Sequence, residues 1–180
     1  MSVISTATAK EFLRISHNKE DAVIRILVES AQEWLCEYLG LRMTVAAPAS
    51  ITEYVNGGAE NLWPKWHPIV DVTRVEDRLT GSVMSSTLYE FCDRKIWLSY
   101  GGVWFPGQHN WKVNYKAGIE EADCPAAVKE TILQLVFRAY NKRGGAESQS
   151  SAGESVSFDG LLTSDEIARV AMYQYRQSFG

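Results

Sequence analysis

The histidines are the side chains of this sequence best suited to acid–base or metal chemistry, and they are widely separated. His17, His67 and His109 fall in three different segments, and none has a second His or a Cys at the spacing of a zinc site. A catalytic triad can assemble from groups that are distant in sequence, but no residue pattern here favours one. We therefore predict no metal site and no cofactor.

Sequence motifs for phosphate binding and nucleophilic catalysis are also missing. The chain has no Gly-x-x-x-x-Gly-Lys loop, no Gly-x-Ser-x-Gly elbow and no His-Glu-x-x-His segment. Cys36, Cys92 and Cys124 are far apart and odd in number, which favours small buried residues over disulfides. We predict that the protein is not an enzyme. The alternative, a small cytoplasmic α+β enzyme of unknown substrate, would require a deep polar pocket with two convergent titratable groups.

Composition and charge narrow the range of possible functions further. The 180 residues suffice for one ordinary domain, and 46% of them are apolar. The net charge of −4 and the lack of a basic stripe argue against sequence-specific binding of nucleic acid. Residues 1–10 do not resemble a signal peptide, and no apolar stretch is long enough to span a membrane.

The first part of the chain is predicted to be helical. A short helix over residues 9–15 has Thr6 or Thr8 as its N-cap, and a longer one over residues 19–39 ends at Gly40. The apolar positions of the longer helix are Val23, Ile26, Leu27, Trp34, Leu35 and Tyr38. Glu29, Glu33 and Glu37 follow one another at i, i+4 steps, either as a solvated face or as an acidic stripe that faces a partner.

Residues 42–119 have the alternation and turn residues of β structure. Strands are predicted at residues 51–55, 69–75, 88–92, 95–100 and 111–115, with the pair around Asp93-Arg94 forming a hairpin. Asn56-Gly57-Gly58 is a strong turn signal. Because the strands are short and no helices separate them, we expect an antiparallel sheet.

Most of the tryptophans lie in or beside this β region. Trp97 and Trp111 fall within predicted strands and are expected in the core. Trp63, Trp66 and Trp104 fall on predicted loops, where large aromatic residues often anchor protein interfaces. A loop folded over the sheet would bury them equally well.

The C-terminal third begins with a helix predicted over residues 125–142. One apolar stripe of this helix contains Val128, Ile132, Leu135, Val136 and Ala139, and a second contains Leu133, Phe137 and Tyr140. Two stripes suggest either a subunit partner or a central position in the core. Residues 144–160 are rich in Ser, Gly and Glu and are predicted to be a flexible linker.

A last helix is predicted from a capping box at Thr163 and Glu166 to about Gln177. It is either a docking arm or a helix that folds back on its own domain. The predicted fold class is therefore α+β: a small helical bundle with an inserted antiparallel β region and a tethered C-terminal helix. The predicted divisions are a core at residues 1–143, the linker at 144–160 and the docking helix at 161–180.

The order of motifs resembles that of head–tail connector (adaptor, or head-completion) proteins of tailed bacteriophages, from about Thr6 to Arg176. The matching segments are Glu11-Phe12-Leu13-Arg14-Ile15, Asn18-Lys19-Glu20-Asp21, Glu37-Tyr38-Leu39-Gly40, Pro68-Ile69-Val70-Asp71-Val72-Thr73-Arg74-Val75, Val113-Asn114-Tyr115-Lys116-Ala117-Gly118, Cys124-Pro125-Ala126-Ala127-Val128-Lys129 and Tyr175-Arg176. The chain departs from this pattern in its longer β region and its long Ser/Gly linker.

This resemblance implies a structural virion protein, made in the host cytoplasm, that forms a ring below the portal protein. The ring, expected to be a dodecamer, would join the head to a stopper or tail protein and let DNA pass without sequence-specific binding. No membrane contact is implied. A stopper or tail-terminator ring is the alternative within the same particle, although such proteins are expected to be mainly β.

The resemblance also suggests where the contacts lie. Glu29, Glu33 and Glu37 would line the channel or a subunit seam, and the loops of Trp63, Trp66 and Trp104 would meet a neck partner. The residues expected at the portal or subunit interface are Leu161, Leu162, Ile167, Val170, Tyr173, Tyr175 and Arg176.

Overall fold

The structure is a computed structural model that describes residues 2–44, 47–144, 160 and 162–173. Its helices are α1 (Thr6–Leu13), α2 (Asp21–Leu39), α3 (Ala126–Gly144) and α4 (Ser164–Ala171). Its strands are β1 (Met43–Thr44), β2 (Ala49–Val55), β3 (Asn61–Leu62), β4 (Ile69–Asp77), β5 (Tyr89–Phe91), β6 (Ile96–Leu98), β7 (Trp111–Ala117) and β8 (Ile119–Glu120). The predicted α+β fold class is confirmed. In the described part of the chain, no helix combines the length and apolar character needed to cross a membrane.

The chain divides into two compact units. The helical unit contains the described residues of Met1–Leu39 and Glu121–Gln174, with α1, α2, α3 and α4. The sheet unit contains the described residues of Gly40–Glu120 and all of the strands named above. The β region is thus an insertion between α2 and α3.

In the helical unit, α1 begins one residue earlier than the predicted caps allow. The N-cap is Ser5, whose hydroxyl accepts the Thr8 N–H at 3.0 Å. The prediction of Thr6 or Thr8 as the cap was wrong, because both residues are already helical. At the other end, Arg14 adopts φ 58°, and the Ile15 N–H donates to the Lys10 carbonyl. This left-handed residue stops α1 before the predicted break at His17-Asn18.

The buried face of α2 differs from the predicted one. The residues that it buries are Ile24, Leu27, Val28, Ala31, Gln32, Leu35, Cys36 and Leu39. Ile26, by contrast, is 57% exposed. Gln32 tolerates burial because its side-chain oxygen accepts hydrogen bonds from the Ser2 hydroxyl and the Val3 N–H, both at 2.7 Å. The predicted end of α2 is confirmed, since Leu39 is its last residue and Gly40 has φ 65°.

The first predicted stripe of α3 is fully buried, from Val128 to Ala139. Its second stripe is only partly covered: Leu133 and Tyr140 are half-buried, and Phe137 is exposed. Within the helical unit, the Tyr140 hydroxyl donates to the Glu20 carboxylate at 2.6 Å. The core of the helical unit therefore covers the first stripe of α3. Part of the second stripe remains at the surface.

The sheet unit is built around β7, which is the middle strand of the antiparallel order β2-β7-β4. Trp111, Val113 and Tyr115 alternate along β7 toward the core, as the sequence predicted. A second antiparallel sheet has the order β3-β6-β5 and contains the predicted hairpin around Asp93-Arg94. The expected antiparallel pairing is confirmed in both three-stranded sheets, while β1 and β8, which lie outside the predicted strands, pair in parallel.

Candidate protein-binding interface

The loop that joins β6 to β7, residues 99–110, carries three exposed large apolar side chains. Tyr100 is 70% exposed, and Val103 and Phe105 are 57% and 63% exposed. We name these three residues the loop patch. Exposed apolar residues that cluster in one loop mark a protein-binding site more often than scattered single residues do.

The loop patch has a fixed backbone. The Trp104 N–H donates to the Ala59 carbonyl at 2.9 Å, and the Phe105 carbonyl accepts from the Asn110 amide at 2.8 Å and from the Trp111 indole at 3.2 Å. The Trp104 ring lies 5.0 Å from that of Trp111 in an edge-to-face arrangement. A loop held in this way presents its exposed side chains without an ordering cost at the moment of binding.

Trp104 itself cannot serve as the predicted loop contact, because only 1% of its surface is exposed. The ring fills the core of the sheet unit, and its neighbours Val103 and Phe105 point outward instead. This corrects the interface prediction for Trp104. The sequence signal was the Gly101-Gly102 turn, which indicates a loop but not which of the following side chains enters the core.

Trp63 and Trp66 remain at the surface, half-buried and covered by cations. Lys65 and Arg42 lie 4.6 Å and 5.3 Å from the centre of the Trp66 ring, and Lys95 lies 5.9 Å from that of Trp63. Such cation–π contacts stabilise a partly exposed ring. That Trp63 and Trp66 contact a neck partner stays a prediction. Trp97, expected in the core, is half-buried, while Trp111 is buried as predicted.

Three of the four acidic residues of α2 lie on its exposed side, and the fourth, Asp21, is half-buried and paired with Lys10. Glu29, Glu33 and Glu37 are exposed, together with Ile26 one turn before Glu29. We name Ile26, Glu29 and Glu33 the outer face of α2. It lies opposite the side that packs into the helical unit, since Ile24, Val28 and Leu35 point the other way.

An apolar groove of about 500 Å³ opens between α1 and α3. It is lined by Phe12, Leu13, Arg14, Gln134 and Phe137. The rings of Phe12 and Phe137 meet edge to face at 6.3 Å, and both rings are more than one-third exposed. We name this feature the helical groove. The sequence pointed to it only through the second stripe of α3.

The C-terminal helix α4 packs on α3 within the helical unit. The predicted capping box is present, with Thr163 and Glu166 bonded reciprocally. Arg138 of α3 donates two hydrogen bonds of 2.7 Å to the Glu166 carboxylate. These bonds hold the pKa of Glu166 at about 2, although partial burial opposes the shift.

This packing changes the predicted docking surface. Val170 is fully buried, so it is not available to a partner while α4 lies on α3. Ile167 is 38% exposed, and Leu162 and Tyr173 are half-buried. The remaining predicted contacts, Leu161, Tyr175 and Arg176, lie outside the described residues, as does most of the predicted linker. Of the two readings of α4, the structure shows the helix folded back on its own unit.

The groups suited to catalysis are dispersed or structural. Burial lowers the pKa of His67, whose ring Nδ1 lies 3.0 Å from the Asp93 carbonyl oxygen. Burial likewise raises the pKa of the Cys124 thiol. Among the described residues, no cluster of His, Cys, Asp and Glu could hold a metal ion. The charged pocket between α3 and α4 is lined by the ion pairs Arg138–Glu166 and Arg169–Glu130. In each pair the two charged groups bind each other.

The fold and these surfaces define a mixed α+β protein with several apolar surfaces suited to protein contacts. Residues 2–178 match the family of head completion proteins, and the chain belongs to that family. The family prediction made from the order of motifs is confirmed, and with it a structural role at the junction of head and tail. A comparison with curated proteins finds no match.

Solved structures of low sequence identity share the fold. A chain from the neck of an empty gene transfer agent (GTA) particle, computed with C6 symmetry, is 12% identical with a TM-score of 0.65, over 99% of this chain and 92% of that one. A chain from the virion of a native GTA particle is 12% identical with a TM-score of 0.64 and the same coverage. The neck of the native GTA particle, computed with C12 symmetry, gives 12% identity and a TM-score of 0.61, over 100% and 95% of the two chains.

Proposed function

We propose that the chain assembles as a ring in the neck of a virion, between the portal protein and the next neck or tail component. The observation that carries this proposal is the family match over residues 2–178. The similar chains come from particle necks described with C6 and C12 symmetry, which supports a ring of twelve copies here.

The distribution of apolar surface supports a ring. A ring needs two different surfaces on each subunit, because each copy contacts its two neighbours through different patches. The helical unit exposes the helical groove and, on another side, Ile26 of α2. The loop patch of the sheet unit supplies a further surface for a neck partner.

The charge of the chain supports a conduit for DNA. A channel that neutralised many phosphates would hold the DNA that it must release, because each neutralised phosphate adds to the affinity. The net charge of −4 and the exposed Glu29, Glu33 and Glu37 suit a wall or a seam that does not retain DNA. We propose that DNA passes through without sequence-specific contact and that the role needs no catalytic residue.

The C-terminal segment is the proposed portal contact. In this proposal Ile167, the half-buried Leu162 and Tyr173, and the predicted residues Leu161, Tyr175 and Arg176 meet the portal. Many copies per ring would multiply a weak contact at each subunit through avidity. Val170 is excluded from this surface as long as α4 stays on α3.

The test is to mix the purified full chain with its portal ring and examine the product by size exclusion and electron microscopy. We expect an additional ring stacked on the portal. A chain ending at Gly144 tests the C-terminal segment separately, and we expect it to lose portal binding. No association of the full chain with the portal would overturn the proposed position and favour a stopper or tail-terminator role.

A further inference from the structure

We propose that neighbouring subunits of the ring join by seating the outer face of α2 of one copy in the helical groove of the next. This inference rests on the proposed ring. The occupant of the groove is a second copy of this chain, with Ile26 packed against the exposed sides of the Phe12 and Phe137 rings. Glu29 and Glu33 then lie beside Arg14.

The groove has the properties of a receptor for one apolar side chain. Its volume of about 500 Å³ exceeds that of an isoleucine side chain, and its two phenylalanine rings remain partly exposed. Interfaces of this kind place an apolar anchor in a central pocket and surround it with polar contacts. The edge-to-face pairing of Phe12 with Phe137 fixes the walls of the pocket.

Ile26 has the properties of the matching anchor. It is 57% exposed on a regular helix, and Glu29 and Glu33 follow it on the same face. Ile26 is the large apolar side chain of the outer face of α2. Because α2 is packed along its full length on the opposite side, the anchor is presented on a rigid element.

Charge complementarity selects the direction in which α2 of one copy lies across the helical groove of the next. Arg14 at the rim of the groove is exposed, and within the described part of the chain it forms no ion pair. Glu29 and Glu33 are likewise exposed and unpaired among the described residues. They follow Ile26 by one and two turns of α2, about 5 and 10 Å along the axis. Seating Ile26 therefore brings a carboxylate of one copy near the guanidinium of the other.

Arg14 is also held in place. Its left-handed backbone is fixed by the hydrogen bond from its own N–H to the Glu11 carbonyl at 3.1 Å and by that from Ile15 to Lys10 at 2.9 Å. The side chain therefore projects from a defined position two residues beyond Phe12. The proposed seam combines one apolar anchor with one to two ion pairs, arranged in a single direction around the ring.

Cross-linking tests the seam directly. In a Cys92→Ser background, Ala22→Cys combined with Gln134→Cys, which leaves Ile26 and Phe137 in place, is assembled on the portal ring and treated with a short bismaleimide. We expect a ladder of covalent dimers, trimers and higher oligomers, and only monomers from either single variant. The matched control combines Ala22→Cys with Val83→Cys, an exposed position of the sheet unit, and should give no ladder.

Charge reversal is the second test. Glu29→Arg with Glu33→Arg should raise the concentration needed for half-assembly by about tenfold or more, and adding Arg14→Glu should recover most of the loss. Glu60→Arg with Glu90→Arg makes the same change in net charge at exposed sites and should have little effect.

The outcomes separate this inference from the proposed function. Rings of the unmodified chain with neither a ladder nor a charge rescue would overturn the seam and leave the ring intact. A ladder of equal strength from the Val83 control would also overturn it. No ring from the unmodified chain would overturn both proposals.

Discussion

Glu166 connects α3 to the N-terminal end of α4 through one carboxylate. It accepts two hydrogen bonds from Arg138 of α3 and two from Thr163, through the backbone N–H and the hydroxyl. The helix α4 has only eight residues, which is too short for stability in water on its own. A single charged side chain therefore contributes much of what keeps α4 on α3.

Replacing this carboxylate should release α4. We expect Glu166→Gln to destabilise the packing of α4 by about 1–3 kcal/mol near neutral pH, because charged hydrogen bonds are lost at a partly buried site. Hydrogen exchange of the α4 amides measures the effect. Glu130→Gln removes the longer 3.6 Å pair with Arg169, whose two side chains are more than half exposed, and should change little.

The same pair predicts a pH dependence. The pKa of Glu166 is about 2 in the folded chain, below the ordinary 4.5. The stability that the ionised Glu166 adds to the folded chain is therefore fully present above roughly pH 4.5 and is lost as the pH falls toward 2. Unfolding of the native chain and of Glu166→Gln should differ at pH 6 and converge near pH 2. A constant difference over this range would contradict the assignment.

In the sheet unit, Tyr115 has a role like that of Glu166: one buried polar group makes several hydrogen bonds. Its hydroxyl donates to the Glu53 carboxylate at 2.7 Å and accepts the Trp66 N–H at 3.3 Å, and burial raises its pKa. We expect Tyr115→Phe to lower the free energy of unfolding by about 1–2 kcal/mol. Tyr54→Phe on β2 removes a hydroxyl from an exposed tyrosine and should be neutral in the same urea titration. Equal effects would contradict the role of the buried hydroxyl.

At the scale of elements, the loop of residues 99–110 depends on a close approach at Gly57. The Gly57 N–H donates to the Gly107 carbonyl at 3.0 Å and to the Asn110 side-chain oxygen at 2.9 Å. A Cβ at this position would collide with the Phe105 carbonyl oxygen and the Trp111 indole. The turn signal at Asn56-Gly57-Gly58 does not join two paired strands: β2 pairs with β7, and these residues receive the 99–110 loop.

Gly57→Ala should therefore destabilise the sheet unit by about 3 kcal/mol, because backbone atoms must move apart. Gly101→Ala, within the 99–110 loop itself, is the matched control: Gly101 has φ 75° and open space around an added Cβ, and the change should cost about 1 kcal/mol from backbone strain alone. Urea unfolding of the two variants gives the comparison. A smaller loss for Gly57→Ala would show that the loop accommodates the added methyl group.

Local signals predicted the elements well. The end of α2 at Gly40 and the capping box at Thr163 depend on residues within one helical turn, and both are present. The alternation along β7 depends only on neighbouring residues and was likewise confirmed. The order of such local motifs was also sufficient to predict the family.

Features that depend on distant residues were predicted poorly. α2 has apolar residues on several sides, so periodicity alone could not distinguish a face with Ile26 from one with Ile24. The buried face also includes the polar Gln32, whose hydrogen-bond partners Ser2 and Val3 lie about thirty residues earlier in the chain. Burial of Trp104, and hence exposure of Phe105, likewise follows from a contact with Ala59 that no local pattern contains.

At the scale of the whole molecule, the sheet unit is an insertion whose two ends lie side by side. Met43 pairs with Ile119 and Thr44 with Glu120, and the Ile119 N–H donates to the Arg42 carbonyl at 2.8 Å. The unit also has its own core around Trp104, Trp111 and Tyr115. We expect a fragment of residues 40–120 to fold alone and unfold cooperatively, as observed by circular dichroism and hydrogen exchange. A fragment without protected β7 amides would contradict this expectation.

The parallel pairing of β1 with β8 has a mechanical consequence. The chain enters the sheet unit at the start of β1 and leaves it at the end of β8, so tension between these points pulls two parallel strands past each other lengthwise. Under such shear, the hydrogen bonds of a pair carry the load together, whereas peeling breaks them one by one. The insertion is therefore joined to the chain in the geometry that best resists a pull.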